Sequence, residues 1–237
     1  MNSKNDNAAK ATLSDQTMAF WRQFYAKHAL RHEPSPFARW CLEHYLSAPG
    51  RLLELGCGNG RDTFTFLNSG LNVLAVDGCD VAIADNQLYQ SELENATQGQ
   101  FIAHDLGFVE ALLEHQSAWF DAPTGLNAVY SRFFLHAIPE VVEDQVLAFC
   151  AQQIVPGGLM LHEFRTSKDP LSEKGERLSE TERWTDHYRR FIETSAFRHK
   201  LAEQGWEEVA FIESKGLALF GDEDPVVARI VVRKPEA

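Results

Sequence analysis

The spacing of apolar residues changes period several times along this chain, and each change predicts an element. Residues 19–46 carry apolar side chains at helical spacing, interrupted at Glu33-Pro34-Ser35-Pro36, where two prolines stop a helix and set an extended elbow. A series of short apolar runs follows. Residues 51–55, 71–76, 101–103, 128–131 and 159–164 read as buried strands, with helical patterns over 61–69, 80–90 and 140–153 between them. Asp80 is expected to cap the second of these helices, and Pro156-Gly157-Gly158 to form the turn before the fifth strand. Thr194 or Ser195 caps a last helix that runs to Gln204, and strands over 206–213 and 226–232 end the chain. Strands alternating with helices of this length predict an α/β fold, a mostly parallel sheet covered on both faces. The last two strands have no helix between them, so they are expected to form an antiparallel hairpin.

Composition sharpens this picture only at the ends and in the choice of partners. Up to about Asp15 the chain offers little apolar surface to bury, which predicts an unstructured tail before one domain over 16–237, with residues 16–50 as a helical cap. The chain has 237 residues, 34 acids against 22 Lys and Arg, and a formal charge of −12. A net acidic surface repels phosphate backbones, so no nucleic acid is expected as partner. Cys41, Cys57, Cys79 and Cys150 form no CxxC pair and read as reduced thiols. No metal site is expected. No apolar run has the length of a membrane span, and the N-terminus lacks the apolar core of a signal peptide, so a cytoplasmic protein is expected.

The candidate chemistry lies in Glu54-Leu55-Gly56-Cys57-Gly58-Asn59-Gly60, between the first strand and its helix. Glycines there let the backbone turn tightly and let a ligand approach, and by themselves they permit any nucleotide. Three acids narrow the choice. Glu54 before the loop would repel a pyrophosphate and suits an ammonium group. Asp77, ending the second strand, can accept from two ribose hydroxyls. Asp105, after the third strand, can accept from an exocyclic amine of adenine. Gly78 and Leu106 follow these two acids, and Cys57 offers its backbone. Ammonium, ribose and adenine together describe S-adenosylmethionine.

These residues resemble the class I S-adenosylmethionine-dependent methyltransferases. Glu54, Gly56, Gly58 and Gly60 match that family's E-x-G-x-G-x-G loop. Asp77 and Asp105 match its acids after the second and third strands, and Pro156-Gly157-Gly158 matches its turn before the fifth. The resemblance covers residues 51–233. It implies a Rossmann-like seven-stranded sheet with a C-terminal antiparallel hairpin, and S-adenosyl-L-methionine as cofactor. A nicotinamide-dependent oxidoreductase is the competing reading of a glycine loop, and Glu54, the loop spacing and the terminal hairpin speak against it.

In such a sheet the ligand lies beyond the carboxyl ends of the strands, so Ser131-Arg132-Phe133-Phe134-Leu135-His136 is expected to face the reacting methyl group. Ser131 is a candidate cofactor contact. His136 could act as general base on a hydroxyl, or pack and bond a backbone carbonyl. Arg132 could hold an anion with two prongs, or form an internal ion pair. No Asn/Asp-Pro-Pro-aromatic motif of amine methylation stands here. Arg132, Arg165, Lys168, His187, Arg189 and Arg190 either line one basic pocket or pair with Glu173, Glu176, Glu180 and Glu182 of the charged insert over 169–186. Tyr25 is the candidate to cover the cofactor from the N-terminal segment. The segments around Trp21, Pro34, Gly58 and Ser131 are similar to bacterial methyltransferases of surface-polysaccharide synthesis. That resemblance implies methylation of a sugar hydroxyl or sugar phosphate; with the basic cluster, a small-molecule or saccharide acceptor bearing phosphate or carboxylate and methylated at oxygen is expected. A non-catalytic cofactor-binding subunit is the alternative.

Overall fold

The computed structural model describes residues 3–27, 33–93, 99–112, 119 and 125–236, with side chains from Asp15 onward. Two helices come first, α1 (Ser3–Lys27) and α2 (Pro36–His44). Helix α1 begins well before the end of the tail expected to lack structure. Ala8, Ala9 and Ala11 have high helix propensity even though the stretch has little to bury. Between the helices the proline elbow does a specific job. Ser35 caps α2 by accepting the Ala38 N–H at 3.0 Å, and Pro36 takes the first helical position, where no N–H is needed.

The alternating series then runs β1 (Arg51–Leu55), α3 (Arg61–Asn68), β2 (Asn72–Asp77), α4 (Asp80–Ser91), β3 (Gly99–Ala103), β4 (Leu126–Arg132), α5 (Glu140–Gln153) and β5 (Ile154–Arg165). A small antiparallel sheet of β6 (Glu176–Arg177), β7 (Glu182–Trp184) and β8 (Tyr188–Arg190) fills the charged insert. Helix α6 (Thr194–Glu203), β9 (Glu207–Ser214) and β10 (Val227–Arg233) complete the chain. The main sheet has the order β3-β2-β1-β4-β5-β10-β9. Strand β10 runs antiparallel to both β5 and β9, and the other neighbours pair in parallel. The expected hairpin therefore forms with its second strand inserted beside β5.

Alternation along the buried strands feeds two cores. Leu53, Leu55, Leu74 and Val76 pack with Val146 and Phe149 of α5 and with Phe197 and Leu201 of α6. Leu52, Val73 and Ala75 point the other way, onto Phe37, Phe64, Phe66 and Ile83 of α2, α3 and α4. These seven strand residues are fully buried. Among the described residues no helix is long and apolar enough to cross a membrane.

Three local expectations are corrected. Pro156-Gly157-Gly158 lies inside β5 as an irregularity rather than as a separate turn. Gly157 takes φ 78°, and this glycine pair exchanges backbone bonds with Lys234 while the register against β4 shifts. Cys79, not Asp80, is the N-cap of α4; Asp80 takes the first helical position and accepts from Arg22 Nε at 2.7 Å, tying α1 to α4. The N-cap of α6 is Glu193, whose carboxylate accepts from the Ser195 and Ala196 N–H groups.

One polar pair sits in the core between β4 and β5. His162 is fully buried, its Nδ1 is 2.8 Å from Ser131 Oγ, and its Nε2 has no partner among the described atoms. Burial pulls the imidazole down to about 3, so it folds neutral. As pH falls below the ordinary histidine range, the unfolded chain takes up this proton and the native chain does not. Wild type should lose on the order of 4 kcal/mol relative to His162→Gln between pH 6.5 and 3. Urea unfolding of both proteins across that range checks the difference; parallel stability curves would refute it.

Candidate active site

The carboxyl ends of β1 and β2 build a cradle from backbone and one carboxylate. Gly56 and Cys57 both donate to the Val76 carbonyl, at 2.8 and 3.1 Å, which holds the glycine loop against β2. Gly56, Gly58 and Gly60 all have positive φ, at 71°, 52° and 71°. A side chain at Gly58 would also collide with the Tyr25 hydroxyl. Asp77 accepts from the Gly58 N–H through Oδ2 and from the Cys79 N–H through Oδ1, each at 2.8 Å. Burial raises the Asp77 carboxyl above the usual range, and these two backbone donors oppose the shift. A carboxylate has about four acceptor positions, so two remain for hydroxyls.

Asn86 of α4 completes the loop and was not singled out from sequence. It is fully buried and its Nδ2 donates to the Gly58 carbonyl at 2.8 Å. An asparagine inside a helix disfavours the helix, and that was the signal available. Gly60 serves this packing, because a Cβ there would lie 2.7 Å from Asn86 Oδ1. Glu54 is buried beneath the loop, accepts from Thr63 Oγ1 at 2.6 Å, and is pushed well above the carboxylate range by burial and then by Asp62. Asp62, also missed, accepts from Ser35 N, Ser35 Oγ and Tyr130 Oη at 2.7 to 2.8 Å, and so fixes the elbow before α2 to the start of α3. Asp105 caps a short turn by accepting the Gly107 N–H at 2.8 Å.

A cavity of about 1020 Å³ opens over this cradle. Tyr25, Glu54, Gly56, Cys57, Gly58, Asp77, Gly78, Asp105, Leu106 and Arg132 line it. Helix α1 forms one wall through Phe20, Trp21, Phe24 and Tyr25. Three candidates lie elsewhere. Gly60 stands behind the loop. Ser131 is fully buried against His162, since alternation along β4 turns it into the core while Arg132 faces the cavity. His136 is buried in the turn after β4, and its Nδ1 accepts the Arg165 backbone N–H at 3.2 Å. Burial, with Arg165 and Arg189 nearby, holds that imidazole well below its ordinary range. The ring is thus a neutral acceptor committed to the backbone, which corrects its assignment as general base.

The basic cluster is divided rather than pooled. Arg132, Arg165, His187 and Arg189 line the cavity, whereas Lys168 is exposed and Arg190 is buried against Glu143. Their partners are not Glu173, Glu176, Glu180 and Glu182; two of them, Asp169 and Asp186, are other acids of the insert, and the rest lie outside it. Arg165 donates to Asp169 at 3.0 Å and to Glu223 at 2.7 Å, Arg189 meets Asp186, and Lys168 meets Glu213. His187 packs on Phe20 at 4.3 Å and on Trp21 at 4.7 Å between ring centroids, joining the insert to α1. Its Nδ1 lies 3.1 Å from Asp186 Oδ1, off the line of a hydrogen bond, and burial and then Arg189 bring it down to about 4. Phe133 is the described non-glycine residue with positive φ, 57°, at the end of β4, a strained backbone at the mouth of the site.

A methyltransferase-domain family model matches residues 21–210, most of the chain. The chain belongs to that family. The match takes in α2, the cradle and the insert sheet. A curated ubiquinone biosynthesis O-methyltransferase from Maricaulis maris is 29% identical over 111 residues, 47% of this chain; the matched stretch spans 39% of that relative's length. The fold is that of a solved S-adenosylmethionine-dependent methyltransferase from Methanosarcina mazei, at TM-score 0.64 and 13% identity, covering 82% of this chain and 97% of that one. It is also similar to 1,6-didemethyltoxoflavin-N1-methyltransferase of Burkholderia thailandensis, at TM-score 0.65 and 16% identity, covering 98% and 90% of the two chains. The cofactor of this methyltransferase is S-adenosylmethionine. The open positions of Asp77, the glycine cradle that a Cβ would fill, and the adjoining acids fit its nucleoside.

Asp77→Ala should weaken S-adenosylhomocysteine binding by at least about 30-fold, since it removes a charged acceptor and frees two loop N–H groups. Isothermal titration calorimetry measures this, and unchanged affinity would remove Asp77 from the ribose site.

Proposed function

We propose that this methyltransferase transfers the methyl group of S-adenosylmethionine to an oxygen of a small molecule with a flat, apolar body. The observation that carries this reading is the wall of the cavity beyond β4. There Phe20, Trp21, Phe133, Phe134, His187 and Phe220 converge, and the neighbouring arginines are largely satisfied by carboxylates. Such a wall favours burial and stacking of a planar acceptor. Among the described residues it offers no free cationic cluster for a phosphate of a saccharide acceptor. Oxygen as the target is supported by the O-methyltransferase relative.

When bound, the cofactor supplies an electrophilic methyl on its sulfonium, so the chain's part is to place a nucleophile and exclude water. Helix α1 and the insert sheet meet through His187, Phe20 and Trp21 and close the cavity from above. His187 lines the cavity and its Nδ1 has no hydrogen-bond partner among the described atoms, so it can take the proton of an acceptor hydroxyl; lowered to about 4, it does so as a weak base. Residues 16–50 act as a cap of the same domain, because Tyr25 and the Ser35–Asp62 bonds reach the glycine loop and α3.

Incubation with S-adenosylmethionine and a panel of hydroxylated aromatic acids, glycosides and sugar phosphates, with mass-spectrometric detection of methylated product, tests the reading. Turnover is expected with the aromatic hydroxyls. Turnover confined to sugar phosphates would overturn the apolar acceptor, and cofactor binding without turnover on any acceptor would favour a non-catalytic subunit. With the best acceptor, His187→Phe keeps the stacking and should lower kcat about 10-fold, the modest effect of a weak base. A kcat equal to wild type would show that the imidazole takes no proton.

A further inference from the structure

Arg132 and Arg229 share one carboxylate, and the sharing leaves a positive charge at the cavity wall. Arg132 Nε donates to Glu163 Oε1 at 2.9 Å, and Arg229 Nε donates to Oε2 of the same residue at 2.7 Å. Glu163 is 1 % exposed, so water does little to neutralise the excess. Arg229 is turned inward: it donates to the Leu217 carbonyl, and its guanidinium lies 5.4 Å from the Phe37 ring centre. Arg132 faces the cavity beside Phe133, 4.4 Å from that ring centre.

The surrounding groups do not cancel this charge. Asp62 is the next acid, but it already accepts three hydrogen bonds and stands 3.9 Å from Arg61, which offsets it. Glu54 is biased toward its neutral form by burial. Arg165 and Arg189, farther along the wall, each meet carboxylates of their own. A buried cation in excess of its acids calls for an anionic ligand.

Strand order says which anion. Asp105 follows β3, Asp77 ends β2, the glycine loop follows β1, and Arg132 ends β4, while the sheet runs β3-β2-β1-β4. Neighbouring strands lie about 4.8 Å apart, so adenine, ribose and amino-acid positions fall in sequence across the sheet. We propose that Arg132 docks the α-carboxylate of S-adenosylmethionine, and that it is a cofactor-binding residue rather than the holder of an anionic acceptor. This rests on the cofactor reading above. It also explains how an acidic cradle tolerates a ligand that ends in a carboxylate: the counter-charge comes from β4, two strands away from Asp77.

The test compares two ligands by calorimetry: S-adenosylhomocysteine, and its decarboxylated analogue, which lacks only the carboxylate. Wild type should prefer the first by about 30-fold, the range of a charge-assisted pair. In Arg132→Gln the preference should collapse to within about threefold, through loss of S-adenosylhomocysteine affinity while the analogue binds as before. Arg132→Lys, which keeps the charge, should restore part of it. Equal binding of the two ligands by wild type would overturn the proposal without any variant. So would a preference that survives in Arg132→Gln, or one that collapses in Arg61→Gln instead. If wild type binds neither ligand, the cofactor reading itself fails, a result distinct from all of these.

Discussion

The cofactor cradle depends on one half-buried carboxylate. Asp77 reaches across from the end of β2, holds the Gly58 N–H with one oxygen and the Cys79 N–H with the other, and so ties the loop before α3 to the loop before α4. Without it, two backbone donors near the mouth of the sheet would lose their partners, a cost of about 1–3 kcal/mol each where water cannot reach them. The positive φ of the three loop glycines, the Asn86 clamp and the bonds from Gly56 and Cys57 to Val76 all presuppose that the loop stays against β2. A group used in this way for structure is also preorganised for a ligand, because its oxygens cannot rotate away.

A second layer of structure closes over the first and is held by long-range pairs. Ser35, Asp62 and Tyr130 connect the proline elbow, α3 and β4, while Arg22 and Asp80 connect α1 to α4. The Arg22–Asp80 pair is exposed and contributes little to stability. The Ser35–Asp62–Tyr130 cluster is buried and satisfied, so it specifies where the cap sits. His187 then brings the insert sheet onto α1 by ring packing.

Much of the frame was legible because its signals are local. Five strands with three helices between them, the glycine loop and the acids at Asp77 and Asp105 follow from period, turn chemistry and residue type over a few positions. What was not legible is set by contacts between distant segments. His136 looks like a base from its place after β4, yet the backbone of Arg165 claims its Nδ1. Ser131 and Arg132 are neighbours in sequence, and the strand sends one into the core and the other to the ligand. The second partner of Arg165 lies at Glu223, and those of Lys168 and Arg190 at Glu213 and Glu143, where charge spacing along the insert could not point.

That contrast bears on specificity. The cradle for the nucleoside is assembled mainly from consecutive stretches after β1, β2 and β3, so a short motif carries it. The acceptor wall draws on α1, the turn after β4, the insert and the β9–β10 connection, four segments whose meeting depends on the whole fold. Cations in that wall are mostly consumed in positioning these segments, as Arg165 does between β5, Asp169 and Glu223. A charged side chain engaged in this way orders the wall but contributes little attraction for an anion of the opposite sign. Selectivity for the acceptor then falls to shape and aromatic contact, which a change of loop residue can alter without touching the cofactor's seat.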